Sequence, residues 1–227
     1  MPTHTISQGW ERGTDLLVGT YTASANGELN FSASLADASD VTLTGALTVA
    51  NLESLFLVAT QALKVRVNAV NEVQTITFTG TVTGGSFTLT YSGQTTSAIA
   101  WNATAADVKA ALEALSNIGV NDVSVTGGPG GTGAVFTVTF RNALAATNVA
   151  QLTSASSLTG TSPGISHATT VGGVAAAQTI NLLANSALEW LQDAGYFSNP
   201  LTTNWTSLLI SNDSGAPATF DCRVLYN

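Results

Sequence analysis

Apolar residues in this chain recur at every second position, in short runs where the residues between them are mostly threonine or serine. Gln74-Thr75-Ile76-Thr77-Phe78-Thr79, Phe87-Thr88-Leu89-Thr90-Tyr91 and Val135-Phe136-Thr137-Val138-Thr139-Phe140 follow the pattern, and Phe220, Cys222, Val224 and Tyr226 share one face of a C-terminal run. A period of two sends successive side chains to opposite faces of a strand, so each run predicts a β-strand with one buried face. Threonine is β-branched and suits the outer face of a pleated sheet. The pattern predicts a mainly β protein.

Composition supports a packed core. Of the 227 residues, 44% are apolar and only 9% charged, whereas disordered chains combine low hydrophobicity with high charge. The net charge is −8, and the six basic residues are Arg12, Lys64, Arg66, Lys109, Arg141 and Arg223. Six scattered cations do not form a phosphate-neutralising surface, which argues against nucleic acid and against an anionic membrane as partners. One cysteine, Cys222, excludes an internal disulfide and lies in an alternating run, which points to a buried strand thiol. No window reaches the roughly 18 apolar residues of a membrane helix. The first residues show no basic, apolar signal segment, so synthesis and folding in a cytoplasm are expected.

Along the chain, Leu29, Phe31, Ala33 and Leu35 mark one strand and Val41, Leu43, Ala46 and Leu47 a second, with a turn at Asp37-Ala38-Ser39-Asp40 between them. Glu53–Ala59 has the texture of a fully buried strand. Leu63–Asn68 alternates, with Lys64 and Arg66 directed outward. One helix is predicted over about 105–117: Thr104 is a good N-cap, Val108, Ala111, Leu112 and Leu115 recur on one face, and Gly119 stands beyond the last turn. Val123-Ser124-Val125 and Ala134–Phe140 are strands joined through a glycine-rich loop, and Ser154–Thr170 is a Ser/Thr-rich passage containing His167. Ala187-Leu188-Glu189-Trp190 fits a short helix or a strand. Ser207–Ile210 and Thr219–Tyr226 close the chain as strands.

Texture changes near residue 72 and returns near 176. Neither flank is complete alone, since 1–71 supplies about four strands and 176–227 about three, together a sandwich-sized set. The expectation is a β-sandwich or jelly-roll-like outer domain from 1–71 plus 176–227, with an inserted Ig-like, α+β domain over 72–175 that carries the helix. Domain insertion succeeds where chain ends lie close together at a surface loop. Val73-Gln74-Thr75-Ile76 is echoed by Ala177-Gln178-Thr179-Ile180.

The order Phe87–Thr96, Ala98-Ile99-Ala100-Trp101-Asn102, Thr104–Val108, Ala111–Leu115, Val123–Gly128 and Phe136–Phe140 resembles a β-rich repeat module found in tandem in large bacterial surface proteins and in phage structural proteins. The likeness covers about 72–174 and implies a spacer, display or adhesion role. In the flanks, Ser54–Val58, Gly195–Thr202 and Ser211–Gly215 are similar to small β proteins of phage particles. That resemblance implies a virion structural protein: first a capsid decoration protein with a projecting insert, then a tail or head–tail component. It further implies partners in copies of itself, forming a homo-oligomer such as a trimer, and in a major capsid or other virion protein. The rival from another class is a carbohydrate-binding or adhesive module that contacts host surface glycans.

No catalytic constellation, metal site or cofactor site emerges. A Ser or Cys nucleophile needs a base; His4 and His167 are the two histidines, expected in a tail and a solvated loop. Gly127-Gly128-Pro129-Gly130-Gly131-Thr132-Gly133 lacks the Gly-Lys-Ser/Thr ending of a phosphate loop and precedes a strand. The residues put forward for partner or glycan contact are the aromatics Trp101, Tyr196, Phe197 and Trp205, with Trp190 beside them, for which burial in a core or a subunit interface is the competing reading.

Overall fold

The computed structural model describes residues 3–12, 15–24, 27–192 and 198–227. The chain forms two compact units, Met1–Asn68 with Ala176–Asn227, and Ala69–Ala175. We call them the flanking and the central unit.

In the flanking unit β1 (Thr3–Arg12) and β2 (Asp15–Ser24) pair as a two-stranded antiparallel ribbon. This segment, expected to be a tail, is therefore strand. The next four strands are β3 (Gly27–Leu35), β4 (Ser39–Leu47), β5 (Leu52–Ala59) and β6 (Leu63–Val67). The central unit then contributes β7 (Val73–Gly84), β8 (Ser86–Tyr91), β9 (Gln94–Thr95), β10 (Ile99–Ala100), α1 (Ala105–Glu113), β11 (Val123–Gly127), β12 (Val135–Phe140), β13 (Thr153–Ser156) and β14 (Thr159–Val171). Strands β15 (Gln178–Leu182), β16 (Ser186–Leu191), β17 (Trp205–Asn212) and β18 (Ala218–Tyr226) return to the flanking unit.

Two four-stranded antiparallel sheets make the flanking sandwich, ordered β15-β6-β17-β4 and β16-β5-β18-β3. Numbered in chain order from β3, its eight strands run 1-8-3-6 in one sheet and 2-7-4-5 in the other, which is the connectivity of a jelly roll. Every hydrogen-bonded neighbour within these sheets joins a strand from before the central unit to one from after it. Between the sheets lie Leu55, Leu57, Val65, Val67, Trp205, Ile210, Phe220, Cys222 and Val224. The alternation that defines β18 in the sequence thus faces this core.

Two strand readings need correction. β5 is not fully buried: Phe56 and Val58 sit half-exposed on the outer face while Leu55, Leu57 and Ala59 point inward. On β6, Lys64 is exposed but Arg66 is only 8% exposed, with its Nη1 donating to Ser211 Oγ at 2.7 Å. A period of two assigns residues to faces, and it does not say which parts of an outer face other segments cover.

The central unit is a second sandwich, with sheets β11-β12-β7-β14 and β10-β8-β13, the latter extended by β9 on β8. Ile76 and Phe78 of β7, Phe87 and Leu89 of β8, and Phe136, Val138 and Phe140 of β12 fill it. Phe78 meets Phe87 and Phe136 edge-on at centroid distances of 5.3 and 6.1 Å, a favoured aromatic geometry. Helix α1 packs on β11 and β10, with Val108 and Leu112 buried.

The start of α1 is as the sequence predicts and its end is not. Thr104 and Asp107 form a capping box: the Asp107 N–H donates to Thr104 Oγ1, and the Thr104 N–H donates to Asp107 Oδ2 at 2.8 Å. The helix stops at Glu113 instead of running to 117. Leu115 and Ile118 continue with tight three-residue bonds, to the Leu112 and Leu115 carbonyls. Ser116 is captured by Gln94, whose Oε1 accepts its N–H at 3.0 Å. The left-handed residue beyond the helix is Asn121, with φ of 64°, and not Gly119.

The Ser/Thr-rich passage 154–170 is also strand, forming most of β13 and β14. Ser162, Pro163, Gly160 and Gly164 make it look like a loop in sequence. In the structure β14 absorbs them as register shifts against β7 between Thr159 and Gly160 and between Thr161 and Gly164.

Candidate functional site

Of the aromatics put forward for contact, Trp205 is 1% exposed and packs edge-on against Phe31 at 6.2 Å inside the flanking core. Its ring is core, which removes it from any partner or glycan surface; the register shift between Trp205 and Ser207 puts it on the same face as Leu208 and Ile210, although their spacing is odd. Trp190 is likewise buried. Tyr196 and Phe197 lie outside the described residues. Trp101 is half-buried, flanking the central core, with its ring beside Gly131. A Cβ on Gly130 would lie 2.1 Å from the Trp101 carbonyl oxygen, so the glycine run is needed for this close packing. That assigns the run a structural role without any phosphate.

The carboxylates of the central unit are engaged in holding loops. Buried Glu72 accepts the Val149 N–H on Oε2 at 2.8 Å and the Gln74 amide on Oε1 at 2.6 Å. Gln74 Oε1 accepts the Leu152 N–H at 2.8 Å. Asp122 accepts the Gly119 N–H on Oδ2 at 2.8 Å and the Ala143 N–H on Oδ1 at 3.1 Å. Each satisfies backbone donors that would otherwise be orphaned on burial. Among the described residues no group of three or more His, Cys, Asp or Glu is placed to hold a metal ion, and no helix is long and apolar enough to cross a membrane.

Among the described residues a serine and a histidine lie together as a nucleophile and a base would. Ser154 Oγ of β13 lies 2.8 Å from His167 Nε2 of β14. His167 is therefore not a solvated loop residue; it is half-buried on a strand. Its Nδ1 is buried with no hydrogen-bond partner, so nothing orients the ring as the third member of a triad would.

The sheet edges differ in how they are guarded. β14, the edge of its sheet, carries Pro163 and three register shifts, features that discourage pairing with another chain. β3 and β4, the edges at one side of the flanking sandwich, contain neither proline nor lysine, and β3 pairs with β18 without a shift in register. Leu29, Phe31 and Ala33 of β3 and Val41 and Leu43 of β4 are only partly buried against the core.

No known protein-family profile matches the chain. Over 73 residues, 32% of its length, the chain is 44% identical to the tail sheath protein of Mycobacterium phage Bxz1. It is similar to part of a phage tail protein. The match spans 12% of that protein, so it concerns a region and not the whole sheath subunit. Its relative is a structural protein, in agreement with the phage half of the sequence resemblance, and a tail component instead of a capsid one. Among solved structures, infectious bursal disease virus strain Gx aligns with a TM-score of 0.11 and 10% identity over 98% of this chain and 47% of the other, a likeness that carries no argument.

Proposed function

We propose that this chain is a non-enzymatic structural component of a phage virion, placed in the tail and assembled with copies of itself. The observation that carries the reading is the 44% identity to a tail sheath protein over 73 residues. That match favours the tail component over the capsid decoration protein, which the sequence resemblance alone ranks first. The fold supports a role built on surfaces. A jelly roll supplies rigid sheets, and among the described residues β3 and β4 have a strand neighbour on one side and carry partly buried apolar side chains, the ingredients of strand-edge pairing between copies. With charged residues at 9%, such contacts rest on backbone hydrogen bonds and apolar burial more than on ion pairs.

Immunogold labelling of purified virions with antibody to this chain tests the assignment. Label along the tail is the expected result. Label confined to the head, or particles that carry none while the lysate does, would overturn it.

A further inference from the structure

The Ser154–His167 contact joins two strands that share no backbone ladder. β13 is the edge of one sheet of the central unit and β14 the edge of the other, and the chain passes from one to the other through Ser157 and Leu158. At this side of the sandwich the two sheets are tied by side chains: His167 Nε2 with Ser154 Oγ at 2.8 Å, and, one strand-pair further, Thr169 Oγ1 donating to Gln151 Oε1 at 2.7 Å. His167 shares the inward face of β14 with Ile165, which packs on the core.

We propose that the Ser154–His167 pair is an acid-released latch holding the β13–β14 edge of the central unit closed. The neutral ring fits the site. With the proton assigned to Nε2 for donation to Ser154, Nδ1 is a bare, buried ring nitrogen. A second proton would place an N–H on Nδ1, which is buried with no acceptor, and a positive charge in a place without a counter-ion. β7 and β13, the strands packed on β14, contain no ionisable side chain, and His167 is the single one on β14 itself. Glu72, just before β7, already accepts from Val149 and Gln74, and Tyr91 closes β8. Burial accordingly holds the imidazole below its ordinary range. In acid the ring takes its second proton when it turns out to water, which breaks the bond to Ser154 and frees the edge.

The sign follows from linkage. The folded value lies below the unfolded one near 6.5, so the latch contributes fully above that pH and is lost as pH falls from the unfolded value toward the folded one. In the full chain, hydrogen exchange of the β14 amides, corrected for intrinsic rate, should rise by up to about tenfold per pH unit in that window, the slope of one proton. Amides of β17 and β18 should not follow. His167→Gln, which keeps an amide donor for Ser154 and does not titrate, should abolish the dependence. Constant β14 protection from pH 7.5 to 5.0, or the same dependence in His167→Gln, would overturn the latch. If that variant fails to fold, the wild-type ring titration by NMR decides: a midpoint below the free imidazole supports the latch, and one at or above it sinks the idea.

Discussion

Cys222 shows what a single position in β18 can report. Burial pushes its thiol up to about 12, because the thiolate would be stranded in an apolar interior. A thiol-specific reagent at pH 8 should therefore leave the native chain unmodified and label it stoichiometrically in denaturant; rapid labelling of native protein would contradict the burial. The sequence already placed this residue, since Phe220, Cys222 and Val224 alternate without interruption. His167 and Arg66 were less legible. Neighbours alone point both positions to water, His167 from its Ser/Thr-rich surroundings and Arg66 from its parity with Lys64. The structure buries both against residues distant in sequence, Ser211 for Arg66 and Ser154 for His167. Long-range partners leave no local periodicity to read.

Element by element, the strands with strict alternation were legible and their irregular neighbours were not. β7, β8, β12 and β18 follow from Thr and aromatic periodicity, while β14 was hidden by the glycines and proline that bulge it. The helix separates cause of start from cause of stop. Its N-terminus is local, a capping box readable from Thr104 and Asp107, whereas its C-terminus depends on Gln94, a residue of another element. Thr104→Ala should cost about 1 kcal/mol of central-unit stability, within the usual range for a lost N-cap, measured by urea unfolding. The Thr104 backbone N–H, then its hydroxyl, hold the Asp107 carboxyl below its usual range. The same variant should therefore let that pKa rise partway, visible in a carboxylate titration. A cost near zero would mean the cap is redundant with tertiary packing.

For the whole molecule, the jelly-roll order makes each flank depend on the other. Strands β3 to β6 find their hydrogen-bonded partners in β15 to β18, so residues 1–68 made alone should remain unfolded by far-ultraviolet circular dichroism. By contrast β6 and β15 are antiparallel neighbours, Val67 facing Gln178, and Val70 bridges Val174 within the central unit. Replacing Ala69–Ala175 with a two-residue Asn-Gly turn, suited to a hairpin, should then yield a folded jelly roll with dispersed NMR signals. Collapse of that chain would show that the flanking unit does not stand alone. The complementary pairing of the flanks was foreshadowed by their strand counts. The strand order itself was not, because periodicity names faces and leaves partners open.

That bridged geometry also bears on how the chain comes together in time. Bringing β6 and β15 into register across an unfolded stretch of about a hundred residues costs roughly 2 to 3 kcal/mol more in loop-closure entropy than across a short turn. Once the central unit has condensed, its ends are held side by side by Val70 and Val174, and that excess disappears. The central unit is contiguous in sequence and leaves a ribosome ahead of β15 to β18. A central unit that condenses first would act as a splint: the two arms of the jelly roll then start from the adjacent ends that Val70 and Val174 hold.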